Sequence, residues 1–213
     1  MLTAWYSTHL FLIKQLLTVY QVVAAGIDGE RASPDDSDAK ELQKRLMAED
    51  QDKWSETFNT NVSSVYFTTV AFLPLLQKSK EEGGHFNPSV ITISSMSGMI
   101  SHAQGHFSYN ASKAATIHLS KMMAYEFKDV GVRVNSIAPG YFPSEMTTHG
   151  ESDEKNKSKV PDSKIKEKGH VPMGRPGTDE EMAMGIMFLA KNTYVNGEVV
   201  TIDGGVMLSL PSR

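Results

Sequence analysis

Tyr109 and Lys113 stand four residues apart in a stretch with a helical apolar pattern, so their side chains share one helix face, one turn apart. A free tyrosine has a pKa of about 10 and is a poor acid–base catalyst at neutral pH. An adjacent ammonium favours the phenolate and would lower that value. Upstream, Ser94, Ser95 and Ser97 follow the short β-type run Val90–Ser94, where hydroxyls could polarise a carbonyl. Together these groups suit the movement of a proton on or off an alcohol or ketone oxygen. A Tyr-x3-Lys pair alone is a weak signal, and its plain alternative is a surface i,i+4 pair. The combination with Ser95 before it and Pro139-Gly140 after it is far less expected by chance.

The elements that must position these residues follow from hydrophobic period. Val19–Ile27 ends in the apolar run VVAAGI, closed by Gly26, which reads as a strand buried on both faces. An acidic loop runs from Asp28 to Asp38, then a weak helical piece over Ala39–Met47. Lys53–Lys78 carries Trp54, Phe58, Val62, Val65, Thr69, Phe72 and Leu76 on one stripe and predicts a long helix, with Pro74 arguing for a kink or early stop. A helix over Phe107–Val130 stops at Gly131. Val132–Ala138 is a third strand, closed by Pro139 and Gly140. Glu151–His170, with six lysines and five acids, reads as a mobile loop holding a possible short helix. Thr178-Asp-Glu-Glu181 is a capping-box signature for a helix to Lys191, and Val199–Asp203 is the last strand. Strands alternating with long helices predict an α/β fold with a parallel sheet, whose ligands sit at the strand carboxyl ends.

Composition narrows the function. The chain has 213 residues, a net charge of −4 and no basic stripe, so nucleic acid is not an expected partner. The absence of cysteine removes disulfides, thiol nucleophiles and cysteine-based metal sites, and fits a reduced, cytoplasmic setting. Leu2–Ile27 is mostly apolar, but Lys14 and Gln15 interrupt it, so neither a membrane span nor a secretory signal is expected. His102-x3-His106 lacks an acidic third ligand nearby in sequence, and no metal site is expected. No G-x-S-x-G elbow surrounds any serine, which disfavours a hydrolase. Met182, Met184 and Met187 read as core or lid packing.

Five segments occur in one order: ITISSMSG (91–98), YNASK (109–113), GVRVNSIAPG (131–140), GRPGTDEEMA (174–183) and VNGEVVTIDGG (195–205). In order and spacing, over about Val22 to Val206, they resemble the short-chain dehydrogenase/reductase family. The resemblance implies a Rossmann-like three-layer sandwich and an NAD(P)-dependent oxidoreductase interconverting an alcohol and a ketone. It implies Tyr109 as the general acid–base, with Lys113 lowering its pKa and bonding the nicotinamide ribose. It implies Ser95 as the group that orients the carbonyl, chosen over Ser94 and Ser97 because it precedes Gly98 by three. Asn61 matches the family's helix asparagine, which binds a water relaying protons to the lysine. Pro139 and Gly140 would pass under the nicotinamide ring. Ser144 falls where the family has a threonine that bonds the carboxamide, and Tyr141–Pro172 would be the substrate lid.

Two departures bear on the cofactor. The family's Asn-Asn-Ala-Gly appears only as Val23-Ala24-Ala25-Gly26, which keeps the close backbone approach at Ala25 and Gly26. The TGxxxGxG turn that cradles the pyrophosphate has no counterpart, since Gly26 is the only glycine up to that point. The expected division is therefore residues 1–21, a non-matching helical segment, and 22–213, the catalytic part of an N-terminally truncated domain. NADP is expected over NAD, with a small alcohol or ketone as substrate. The family's interface helices, equivalent here to 53–78 and 107–130, imply a homo-oligomer. The alternative is a catalytically silent fragment that acts only through subunit association. With no strand to its outer side, Val22–Val23 would form an apolar sheet edge prone to pairing and aggregation.

Overall fold

The computed structural model describes residues 20–24, 26–29, 38–82, 87–143 and 160–210. The helical segment expected over residues 1–21 lies outside them up to residue 19, as do the site candidates Ala25 and Ser144.

Four strands form one parallel sheet in the order β1-β2-β3-β4: β1 Tyr20–Val23, β2 Ser89–Ile93, β3 Arg133–Pro139 and β4 Val199–Ile202. The register pairs Val22 with Ile91, Ile91 with Asn135, and Ile137 with Val200. Helices connect the strands: α1 Ala39–Leu46, α2 Gln51–Phe58 and α3 Ser64–Glu82 between β1 and β2, and α4 Phe107–Glu126 between β2 and β3. Between β3 and β4 run α5 Asp162–Lys168, the short helix in the polar segment, and α6 Asp179–Lys191. Such crossovers are what parallel neighbours require.

Alternation along the strands sends side chains to two cores. On one face Val23, Val90 and Val134 pack with Val65, Leu76 and Met123 of α3 and α4. On the other, Ile91 and Ile137 pack with Leu189 and Ala190 of α6, and Met182 joins them. α6 starts on the capping box read from the sequence: Thr178 Oγ1 accepts from Glu181 N, and the Glu181 carboxylate accepts from Thr178 N. Arg175, paired with Glu181 at 2.7 Å, holds that carboxyl down at about 2.

Three expectations are corrected. β1 is covered on one face only: Val23 is 6% exposed, but Val22 is 45% exposed on the face where α6 stops short. Among the described residues β1 pairs with β2 alone and forms the sheet's edge. Pro74 does not end its helix, because α3 continues to Glu82. Finally, the helix expected as one piece contains a wider π turn, Asn59–Ser63, between α2 and α3. Such turns recur at functional sites. No helix among the described residues is long and apolar enough to cross a membrane.

Candidate active site

The carboxyl ends of β1, β2 and β3 meet the first turns of α4. Ser95 follows β2 in extended backbone and opens a 3₁₀ turn, Met96–Gly98, where its Oγ accepts from Ser97 N at 3.1 Å. Gly98 sets the distance to α4. A Cβ there would lie 2.6 Å from Ala114 N and from Lys113 C, both backbone atoms. Only glycine lets the serine turn approach the helix this closely. The Ser95 side chain is thereby presented toward Tyr109, whose phenolate it favours against the effect of burial. Ser94 is consumed elsewhere: its Oγ donates to Ile137 O at 2.9 Å and accepts from Ser136 Oγ.

Lys113 is buried one turn beyond Tyr109, and its Nζ donates to Ile93 O at 3.2 Å and lies 5.7 Å from the Tyr109 ring centroid. Burial pushes the ammonium down to about 8. The expectation that Lys113 lowers the Tyr109 pKa is not met in this arrangement. Tyr109 is held above its ordinary value, first by burial, with the Ser95 side chain opposing the rise and the Asp28 charge adding to it. Desolvation disfavours both charged forms at once: the ammonium loses hydration, and so does the phenolate it would stabilise.

Asn61, fully buried in the π turn, is a clamp. Its Oδ1 accepts from Ile27 N at 2.8 Å, and its Nδ2 donates to Ile27 O at 3.1 Å and Ser112 Oγ at 2.9 Å. Its own carbonyl accepts from Thr116 Oγ1. These bonds tie the chain leaving β1 to α4. Gly26 then lies against Lys113: a Cβ there would be 3.0 Å from Lys113 Nζ and 3.5 Å from Asn61 Oδ1. Pro139 ends β3 opposite Ile202, and Gly140 N donates to Ile202 O at 2.8 Å. The structure thus gathers Gly26, Asn61, Ser95, Tyr109 and Lys113 about the first turns of α4, with Pro139–Gly140 at the end of the adjacent strand.

Three residues outside the expected catalytic and cofactor set matter here. Arg133, at the start of β3, is buried and donates to the carbonyls of Leu189, Asn192, Val195, Asn87 and Ala190. The His106 ring lies edge-on to Tyr109, ring centroids 6.4 Å apart, and Asp28 Oδ1 lies 3.5 Å from His106 Nδ1. An acid therefore does reach His106 in space, from the loop after β1. Among the described residues no three His, Asp or Glu side chains gather as metal ligands. A separate cavity of about 410 Å³ opens between α6 and β4, lined by Phe142, Met173, Met184, Phe188 and Ile202 among others, but not by Ser95, Tyr109 or Lys113.

Comparison with known proteins places this arrangement. Residues 36–207 match the family model described as enoyl-(acyl carrier protein) reductase. The chain is 35% identical over 203 residues to the short-chain dehydrogenase/reductase PhomF' of Diaporthe leptostromiformis, covering 90% of this chain and 66% of that protein. It is 38% identical over 158 residues to the rhamnolipids biosynthesis 3-oxoacyl-(acyl-carrier-protein) reductase of Pseudomonas aeruginosa, covering 73% of this chain and 58% of the relative. The structure of the Pseudomonas aeruginosa RhlG/NADP active-site complex superposes with a TM-score of 0.68 at 32% identity, covering 88% of this chain and 66% of that one. The chain therefore spans two thirds or less of the length of these relatives. With the fold, the order of its motifs and most of its length in agreement, the chain belongs to the short-chain dehydrogenase/reductase family.

Proposed function

We propose that the chain carries the catalytic part of an NAD(P)-dependent oxidoreductase that interconverts an alcohol and a ketone. The observation that carries this reading is the buried Lys113 Nζ 5.7 Å from the Tyr109 ring centroid, with Ser95 on the turn that Gly98 packs against the same helix. Tyr109 exchanges the proton with the substrate oxygen, and Ser95 orients that oxygen by hydrogen bonding. The nicotinamide group, when bound, supplies or accepts hydride. The residues present fit its ribose end: the Lys113 ammonium has three N–H donors and gives one to Ile93 O, and Gly26 leaves the space beside Nζ that a side chain would fill. Pro139–Gly140 would support the ring. The neighbouring RhlG structure contains NADP, which supports NADP over NAD. The substrate is a small alcohol or ketone, and the 3-oxoacyl reductases among the relatives make a 3-oxoacyl thioester the first to test.

Association accompanies this reading. α3 and α4 carry the exposed side chains Phe67, Phe72, Leu75, Met122 and Tyr125. Such a surface fits a homo-oligomer formed through these two helices. Association without turnover is the second reading, favoured by one observation: no glycine-rich turn occurs among residues 1–26.

The test is reduction of a 3-oxoacyl thioester and simple ketones at millimolar NADPH. The Tyr109→Phe variant is expected to lose at least about 100-fold, the usual share of a positioned general acid. Equal rates in the two proteins would favour the silent reading.

A further inference from the structure

We propose that Tyr141 and His170 are positioning residues: the hydrogen bond between them latches the leg that returns from α5, residues 170–177, onto the end of β3, and so fixes Gly140, the residue before Tyr141, in the floor of the site. The proposal rests on the oxidoreductase reading for the use of that floor, but not for its measurement.

α5 supplies one half of the latch. Ile165, its buried side chain, seats the helix. Gly169 then ends it at φ +71°, the left-handed conformation that glycine adopts without strain, and the chain turns back on the last turn. That reversal brings His170 Nδ1 to 2.8 Å from Lys168 O. A carbonyl oxygen only accepts, so Nδ1 carries the ring proton, and in the neutral imidazole Nε2 is left as the acceptor. Nε2 lies 2.9 Å from the Tyr141 hydroxyl, which donates to it. The two rings are tilted, with centroids 5.8 Å apart, and Lys168 Nζ lies 4.8 Å from the Tyr141 ring centroid.

Tyr141 supplies the other half, and the same leg also holds its backbone. Tyr141 O accepts from Gly177 N at 2.9 Å. Between these two contacts Met173 N donates to Gly204 O at 3.1 Å, which ties the leg to the end of β4. Gly140 has no slack: its N donates to Ile202 O, and a Cβ on it would lie 2.6 Å from Asp203 Cα. Movement of Tyr141 therefore reaches Gly140 through a single peptide unit and disturbs its close approach to the β4 end. The bonds of Gly177 and Met173 are backbone bonds that other side chains at those positions would also permit. The Tyr141–His170 bond is set by residue type. Both residues fall outside the segments 131–140 and 174–183 that carry the family resemblance, so the latch belongs to this chain and not to that pattern.

Hydrogen–deuterium exchange of the 213-residue chain, read amide by amide by NMR, tests the latch. Tyr141→Phe keeps the ring and removes the donor. The amides of Gly140 and Gly177 are expected to exchange about fivefold faster than in the wild type, the net worth of one side-chain hydrogen bond, while those of Ile91 and Val134 within the sheet keep their rates. His170→Phe removes the acceptor and is expected to do the same, and the double variant to add nothing further. His170→Gln offers a side-chain carbonyl to the Tyr141 hydroxyl and is expected to recover most of the protection. Should Tyr141→Phe fail to fold, His170→Phe reads the same bond from the other side. Unchanged rates at Gly140 and Gly177, equal acceleration throughout the sheet, or additive effects in the double variant overturn the proposal. Where turnover is present, Tyr141→Phe is expected to raise the KM for NADPH about fivefold with kcat unchanged, the pattern of lost uniform binding, and a KM that does not move overturns the positioning role. Exchange reads no turnover, so an inactive chain with the expected exchange pattern would refute the catalytic reading alone.

Discussion

Replacing Arg133 by methionine is expected to lower the melting temperature by about 10 °C, the largest stability effect of any single side chain described above. The guanidinium is buried and serves five backbone carbonyls. Two of them, Leu189 and Ala190, belong to the last turn of α6, where carbonyls have no partner within the helix. The cation also meets the negative end of that helix. Methionine fills a similar volume but strands acceptors away from water, at a cost of about 3–5 kcal/mol for the set. Thermal unfolding followed by circular dichroism measures it, and a loss under about 1 kcal/mol would show that the carbonyls find other partners.

The 213-residue chain is also expected to bind NADPH weakly, with a dissociation constant well above the micromolar range. The nicotinamide end has Lys113, Tyr109 and Gly26, but the pyrophosphate needs a helix N-terminus with bare N–H groups. Three helix starts in this structure already hold a carboxylate of their own. Asp38 accepts from Lys40 N and Glu41 N at α1, Asp50 accepts from Asp52 N at α2, and Glu181 accepts from Thr178 N at α6. Each would repel a phosphate. Micromolar or tighter binding by calorimetry would contradict this. A co-expressed segment that supplies a strand against β1 and a glycine-rich turn should improve cofactor binding and solubility together, because among the described residues β1 is the edge it would pair with.

The sheet was readable because its strands are short, β-branched, and separated by long periodic helices. Tyr109 and Lys113 were readable because four-residue spacing fixes a shared helix face. Ser95 could be chosen over Ser94 by its distance from Gly98, and the structure supplies the cause: Gly98 packs on the α4 backbone while Ser94 bonds within the sheet. What was not readable depends on contacts between distant segments. A charge at the start of a strand, such as Arg133, looks like surface until helix α6 brings its carbonyls. Asp28 and His106 sit in two unrelated loops, and only the fold, with Asn61 clamping Ile27, brings them together. Val22 looked buried from the apolar run alone, whereas it is 45% exposed and takes no part in the core on its face of the sheet. The rise in the Tyr109 pKa follows from burial, which helix spacing does not reveal.

The central claim is that Tyr109 exchanges a proton with a substrate oxygen while hydride moves at the adjacent carbon. Isotope transfer tests it most directly. NADPH deuterated at the transferring position of nicotinamide C4, supplied at millimolar concentration with a 3-oxoacyl thioester, should place one deuterium on the carbinol carbon of the product, read by mass spectrometry. The account predicts that this label forms with the wild-type chain and falls to the level of the enzyme-free control in Tyr109→Phe. Label at equal levels in both proteins, or in neither, would contradict it.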